Sequence, residues 1–540
     1  MFLLLINLLY SLLNSIKMPT QFNSIRNKKF KSKAVATLQY ILFFGLLVNT
    51  LNAKITDSIG DVTLHPSVIN LEKIKGLKES TIFDLTVNGQ NAFVYHSREI
   101  MDQYEHIKQL KSISYQGVSY VNFSMSSTVK LQINSLNGKA SSWKILPKRA
   151  DVKVDETTNS IIFTLNKPEK FVISAVVDGL EQSIIISAEK PETNIPSKTD
   201  KGVLYLGPGI HQYGQAWDPF VNGIHTVYVA GGAILEATIK SNKKNNVKIL
   251  GRGILSQSFV THAEESSSNE KAREQEWDAD WLGVVFTDSQ NIVIDGITIM
   301  NSPSYQLEVA NCNNVKINNI KLCGFGEHNN DGIHTYGNTI LVEDSFIASN
   351  DDRVCITGLF DKENGTDNLQ WDGSNELTGV SVSNITLRNM VFWGLDNNGA
   401  DIMLTWNGAG YAKNILVENA VSLTGTNKAF IAARHGGSAD IHDLIFRNIT
   451  LYHSNLFDVE IGESNYQGAG GGKLRNLLLE NFTIHANFKD IGKQLKGESK
   501  ASNIEGIIFK NIITNDGVLT DLNQIKLISN EFVSNLKAVK

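Results

Sequence analysis

One short pattern returns throughout the chain after Gly202: apolar residues alternating over three positions, then Asp or Asn, then a second apolar pair. Asn291-Ile-Val-Ile-Asp-Gly-Ile-Thr-Ile299, Asn314-Val-Lys-Ile-Asn-Asn-Ile-Lys-Leu322, Asp443-Leu-Ile-Phe-Arg-Asn-Ile-Thr-Leu451 and Asn476-Leu-Leu-Leu-Glu-Asn-Phe-Thr-Ile484 are clear copies. Aligned on Ile294, Ile317 and Val342, the steps are 23 and 25 residues; Val417, Phe446, Leu479 and Phe509 follow at 29, 33 and 30. A unit this short cannot bury its apolar face alone, so consecutive copies must stack. The spacing predicts a right-handed parallel β-helix over residues 203–540, with insertions between strands gathered on one side. Leucine-rich repeats share the period but need a recurring Leu framework and an Asn/Cys step, which are absent. The 42 glycines beside 9 prolines suit a chain of many tight turns.

Upstream the texture differs. Thr81–Val87, Ala92–Tyr95, Val129–Ile133, Ser160–Leu165, Phe171–Val177 and Ser183–Ser187 alternate with period two between Asn-Gly, Asp-Gly and Lys-Pro turns. This predicts an antiparallel β-sandwich over residues 54–189, followed by a linker at 190–202. The fold class is therefore all-β.

The first 53 residues read as a signal peptide and an upstream segment. A basic run, Lys28–Lys33, precedes an apolar core at Tyr40–Val48, and Leu51-Asn-Ala53 ends on a small residue suited to cleavage. Either Met1 or Met18 serves as the start, and export to the periplasm or the extracellular medium is expected. Three cysteines, Cys312, Cys323 and Cys355, make no disulfide framework in a protein of this size and read as buried thiols. Fifty Lys and Arg against 55 Asp and Glu leave no polybasic face for nucleic acid. A monomer is expected, without cofactor or metal and without membrane attachment after cleavage.

Within the repeats, His328-Asn-Asn-Asp-Gly-Ile-His334 and Asn350-Asp-Asp-Arg-Val-Cys-Ile356 concentrate acid. Asp331 and Asp351 lie 20 residues apart, about one coil, and strands one coil apart are ~4.8 Å apart. Asp351 and Asp352 are consecutive, so they share a face only if a bend turns both outward. Three carboxylates in one groove repel each other, which raises a pKa and keeps one group protonated as a general acid while the others activate water.

Asn330-Asp-Gly, Asn350-Asp-Asp and Val391-Phe-Trp-Gly-Leu-Asp-Asn-Asn-Gly-Ala-Asp-Ile-Met-Leu-Thr-Trp406 resemble glycoside hydrolase family 49, the dextranases and isopullulanases, which is related to the family 28 polygalacturonases. Ile161–Pro168 and Val203–Tyr213 agree with it, and the likeness runs from about Asn70 to Thr483. The resemblance implies the order sandwich then β-helix, and inverting hydrolysis of an α-glucan, dextran first and pullulan-like polymers second. It also implies Asp351 as the acid, with Asp331 and Asp352 activating water. Arg353 and Cys355 stand where the family pattern has a small residue and then Lys. Arg434-His-Gly-Gly437 replaces the polygalacturonase Gly-His-Gly but falls 83 residues after Asp352, with no Arg-x-Lys behind it.

Sugar rings stack on aromatic faces, so Trp281, Tyr305, Trp393 and Trp406 are candidate subsite residues, joined by Asn330, Arg434 and His435. Two other enzyme readings remain: a polygalacturonase-like hydrolase, and a calcium-dependent polysaccharide lyase in which the carboxylates hold the ion and Arg353 is the base. The non-enzymatic alternative is a β-helix adhesin.

Overall fold

The computed structural model describes residues 58–97, 117–148, 159–260, 283–356 and 381–540, apart from short gaps at 60–61, 178, 303, 325–329, 395–398, 406–409, 426–427 and 463–469. The signal-peptide segment, Trp281 and Trp406 lie outside the described residues. Every long element is a strand, interrupted by three short 3-10 turns among the described residues. No described helix is long and apolar enough to cross a membrane.

Two sheets form the N-terminal part. One has eight strands, ordered Ser58–Ile59, Val62–Leu64, Val118–Met125, Leu180–Glu189, Glu169–Val177 and Ala140–Leu146 along its main path, with Tyr95–Ser97 and Leu77–Glu79 added at the side. The other has four: Ser160–Leu165, Val129–Ser135, Phe83–Val87 and Gln90–Ala92. Period-two burial explains why these segments are strands, and the inward residues of both sheets share one apolar cluster. The expectation of purely antiparallel pairing needs one correction. Val118–Met125 and Leu180–Glu189 run parallel, with Ile184 opposite Ser119.

From Val203 to Val539 the chain winds as a parallel β-helix, with 27 strands among the described residues. The register confirms the sequence alignment: Ile294 pairs with Ile317, Ile317 with Val342, Val417 with Phe446, Phe446 with Leu479, and Leu479 with Phe509. These side chains fill the interior of the coil as stacked columns. The polar residue between the apolar pairs is a backbone device. Asp344, Asn389, Asn419, Asn448, Asn481 and Asn511 all hold φ between 51° and 58°, a left-handed bend that Asn and Asp tolerate better than other side chains. Each amide donates to the residue one coil below, from Asn389 to Asp344 at 2.8 Å up to Asn511 to Asn481 at 2.8 Å.

Residues Thr56–Lys540 cluster as one compact unit. The outer face of one coil sheet, including Met300, Cys323, Phe346 and Trp393, packs with Tyr95, Tyr120 and Ile185 of the eight-stranded sheet. Buried polar ties cross the same boundary. Glu189 forms ion pairs with Lys321 Nζ and Arg252 Nε, both at 2.7 Å, and Tyr120 bonds Thr298 at 2.6 Å. Burial alone would raise the Glu189 pKa, but Lys321 and Arg252 reverse this and hold it at about 2.

Candidate active site

The acidic residues sit where the chain bends into successive strands, at 330–332 ahead of Ile333–Glu343 and at 350–353 ahead of Val354–Cys355. Ile333 pairs with Val354 and His334 with Cys355, a register of 21 rather than the expected 20. Asp331 is therefore level with Asp352, while Asp351 is level with Asn330. The ladder continues through the bend, Gly332 N–H donating to the Asp352 carbonyl at 2.8 Å and Arg353 N–H to that of Ala400 at 2.8 Å. Two glycines permit this approach. A Cβ on Gly332 would meet the Arg353 carbonyl at 2.2 Å, and one on Gly399 (φ 73°) would meet the Asp351 backbone at 2.2 Å.

The bend brings both members of the Asp pair to one cation, Lys428. All three lie within electrostatic reach of Lys428, and the Asp351 and Asp352 charges act on Asp331. Lys428 Nζ is 3.4 Å from Asp352 Oδ1 and 3.8 Å from Asp351 Oδ1. Asp352 Oδ1 also accepts from the Ala400 N–H at 2.6 Å. The three side chains are nearly covered, at 7%, 10% and 2% exposure for Asp331, Asp351 and Asp352. Burial raises the Asp331 carboxyl to about 7; the His334 hydrogen bond opposes the rise, and the Asp351 and Asp352 charges add to it.

Asp331 has a support that sequence reading passed over. His334 Nε2 lies 3.0 Å from Asp331 Oδ2, and His334 Nδ1 lies 3.3 Å from Glu308 Oε2 on the preceding coil. Burial alone would lower the His334 pKa, but the two carboxylates carry it to about 9. Cys355 Sγ, 3.4 Å from Asp331 Oδ2, completes the group. Asp331, His334 and Cys355 offer one ligand atom each within 4.8 Å, the only mixed metal-ligand grouping among the described residues. Glu308 and Lys428 carry no motif signal; register alone could have found Glu308, which pairs directly with His334.

The remaining candidates separate. Tyr305 stays at the site, buried, its ring centroid 4.0 Å from that of His334. Asn330 is fully buried and donates to the carbonyls of Ser302 at 2.7 Å and Ser304 at 3.2 Å, tying the bend to the preceding coil. Trp393 belongs to the core between sheet and coil, its ring 6.5 Å from that of Phe346. His435 is fully buried with Nε2 on the Ala439 carbonyl at 2.9 Å, and burial pushes its pKa down to about 4. Arg434 spends its guanidinium on Asp458 at 2.8 Å and Glu460 at 3.6 Å. Arg353 is fully buried, 3.7 Å from Asp401, and donates to the Asp351 carbonyl at 3.2 Å, bracing the bend from beneath.

Residues 221–476 match the family model described as glycosyl hydrolases family 28. The chain is 31% identical over 166 residues to a polygalacturonase of Prunus persica, covering 27% of this chain and 40% of that protein. It is 27% identical over 170 residues to the polygalacturonase QRT2 of Arabidopsis thaliana, covering 31% and 34% respectively. The chain thus spans between a third and two fifths of the length of these relatives. Among solved structures it is similar in fold to Dex49A from Penicillium minioluteum, with a TM-score of 0.61 at 15% identity, covering 89% of this chain and 99% of that one. The sequence likeness is thus to family 28 over residues 221–476, and the likeness to Dex49A is one of fold.

Proposed function

We propose, on the premise that residues 221–476 carry a glycosyl hydrolases family 28 domain, that this protein is an inverting glycoside hydrolase of a polysaccharide. One observation carries the reading: two carboxylates level on adjacent coils, a third one residue away, and a lysine beside that pair. Asp351 donates the proton to the leaving oxygen, while Asp352 and Asp331 orient and deprotonate the attacking water. Asp352 suits the ionised role, since it holds a backbone N–H and the closer approach of Lys428. Arg353, buried and engaged with Asp401, is poorly placed to act as a lyase base. The reading takes the two N-terminal sheets as a sandwich over 54–189, joined by 190–202 to a coil that is right-handed by the general rule for parallel crossovers.

For the substrate, an α-glucan with dextran-like α-1,6 linkages is the first choice and a pullulan-like polymer the second. The family 49 likeness and the missing Arg-x-Lys support it. A galacturonan is the second reading, favoured by a cation, Lys428, beside the Asp pair and by the names of the sequence relatives. Digestion of dextran, pullulan and polygalacturonate side by side, with the product anomer followed by NMR, separates them. Inverted reducing ends from dextran support the first reading. Cleavage of polygalacturonate alone replaces it with the second, and retained anomers or unsaturated products overturn both.

A further inference from the structure

We propose that Asp331, His334 and Cys355 form a binding site for a borderline-soft divalent cation of the zinc kind, and that the bound cation switches the hydrolase off. Stacking on consecutive coils builds the site. Glu308, His334 and Cys355 occupy one register column, and Asp331 enters from the bend three residues ahead of His334. Asp331 Oδ2 lies 3.0 Å from His334 Nε2 and 3.4 Å from Cys355 Sγ. Zinc bonds of ~2.0–2.3 Å at tetrahedral angles imply ligand-to-ligand edges of roughly 3.4–3.6 Å, which the two edges at Asp331 Oδ2 approach to within a few tenths of an ångström, while all three atoms lie within 4.8 Å of one another.

A second observation is independent of those three atoms. Metal-bound histidines generally donate their other ring nitrogen to a carboxylate, and His334 Nδ1 is already 3.3 Å from Glu308 Oε2. With Glu308 beside Nδ1, the ring turns Nε2 toward Asp331, where it becomes a ligand once its proton has left. Thiolate and imidazole select zinc, cobalt or copper over calcium and magnesium. Charge is conserved as well. The Cys355 thiol proton and the proton held between Asp331 and His334 leave to solvent as one divalent cation enters, so the buried site keeps its net charge. Once ligated, Asp331 cannot act on water; this half of the inference rests on the function proposed above, whereas the binding half does not.

The test uses the full chain, stripped with chelator, titrated with zinc chloride by equilibrium dialysis and with cobalt chloride by absorbance. One cation per chain and a thiolate-to-cobalt charge-transfer band in the near ultraviolet are expected. Cys355→Ser should abolish the band and weaken zinc by roughly 100-fold or more, while Glu308→Gln should weaken zinc about 10–100-fold and keep the band. Cys312→Ser and Cys323→Ser should leave the band in place. Thermal unfolding in zinc-free buffer reports whether each variant folds, and Glu308→Gln carries the test if Cys355→Ser does not. No stoichiometric binding, or a cobalt band that survives in folded Cys355→Ser, overturns the site. Binding without loss of hydrolysis supports the site and instead removes Asp331 from the mechanism.

Discussion

Asp351 and Asp331 share a turn region but not an environment, and this gives them separable tests. Asp351→Asn should fold normally and lose about 10³-fold in polymer hydrolysis, since a positioned general acid contributes ~10²–10⁴. It should lose far less on an aryl glycoside whose leaving group needs no proton, whereas Asp331→Asn should be equally impaired on both. The reverse pattern would make Asp331, raised to about 7 by burial, the acid instead. A second residue-scale prediction concerns stability. His435 is held near pKa 4 in the fold against 6.5 when unfolded, so the unfolded chain takes up the extra proton first. Its contribution is complete above about pH 6.5 and fades as pH falls toward 4, a loss of about 3 kcal/mol over that window. His435→Gln should flatten urea stability between pH 6.5 and 4; an unchanged slope would refute this. The acidic triplet was legible because Asp-Gly and Asp-Asp recur one coil apart. That Asn330, Trp393 and His435 are buried was not legible, because composition cannot say which wall of the coil a side chain faces.

The repeat is as much a polar device as an apolar one. Asn448 donates to Asn419 and accepts from Asn481, with φ at 56°. Asn448→Ala should lose both ladder bonds and strain the left-handed bend, costing about 2–4 kcal/mol, whereas Asn448→Gly should lose only the ladder, about 1–2 kcal/mol. Urea midpoints measure the difference; equal losses would show that the ladder bonds, not the bend, dominate. The alignment of Ile294, Ile317 and Val342, and of Val417 through Phe509, was readable because each apolar pair must stack on its predecessor to leave water. The one-residue error at Asp331 arose because the step was counted between aspartates, whereas the buried column through Ile333 and Val354 just after them sets it at 21.

Across the whole molecule, the N-terminal sheets and the coil are joined through a buried charge cluster. Glu189 lies with no side-chain exposure between Arg252 and Lys321, and Asn319 donates to it at 2.8 Å. Glu189→Ala leaves two cations without their central anion in a dry boundary and should destabilise the protein by about 3–5 kcal/mol. A change below about 1 kcal/mol in chemical denaturation would mean that water already reaches the cluster. No sequence pattern announces this network, because Glu189 lies 63 and 132 positions from its partners and only folding brings them together.

The winding of the chain, its strand segments and the neighbourhood of three aspartates follow from local alternation and repeat length, which depend only on nearby residues. Which carboxylate stands level with which, that Lys428 faces the Asp pair, and that Glu308, His334 and Cys355 line up beneath Asp331 were decided by the stacking of coils. Burial and inter-coil register have no imprint on a linear string, yet they set the protonation and the ligand geometry of this site.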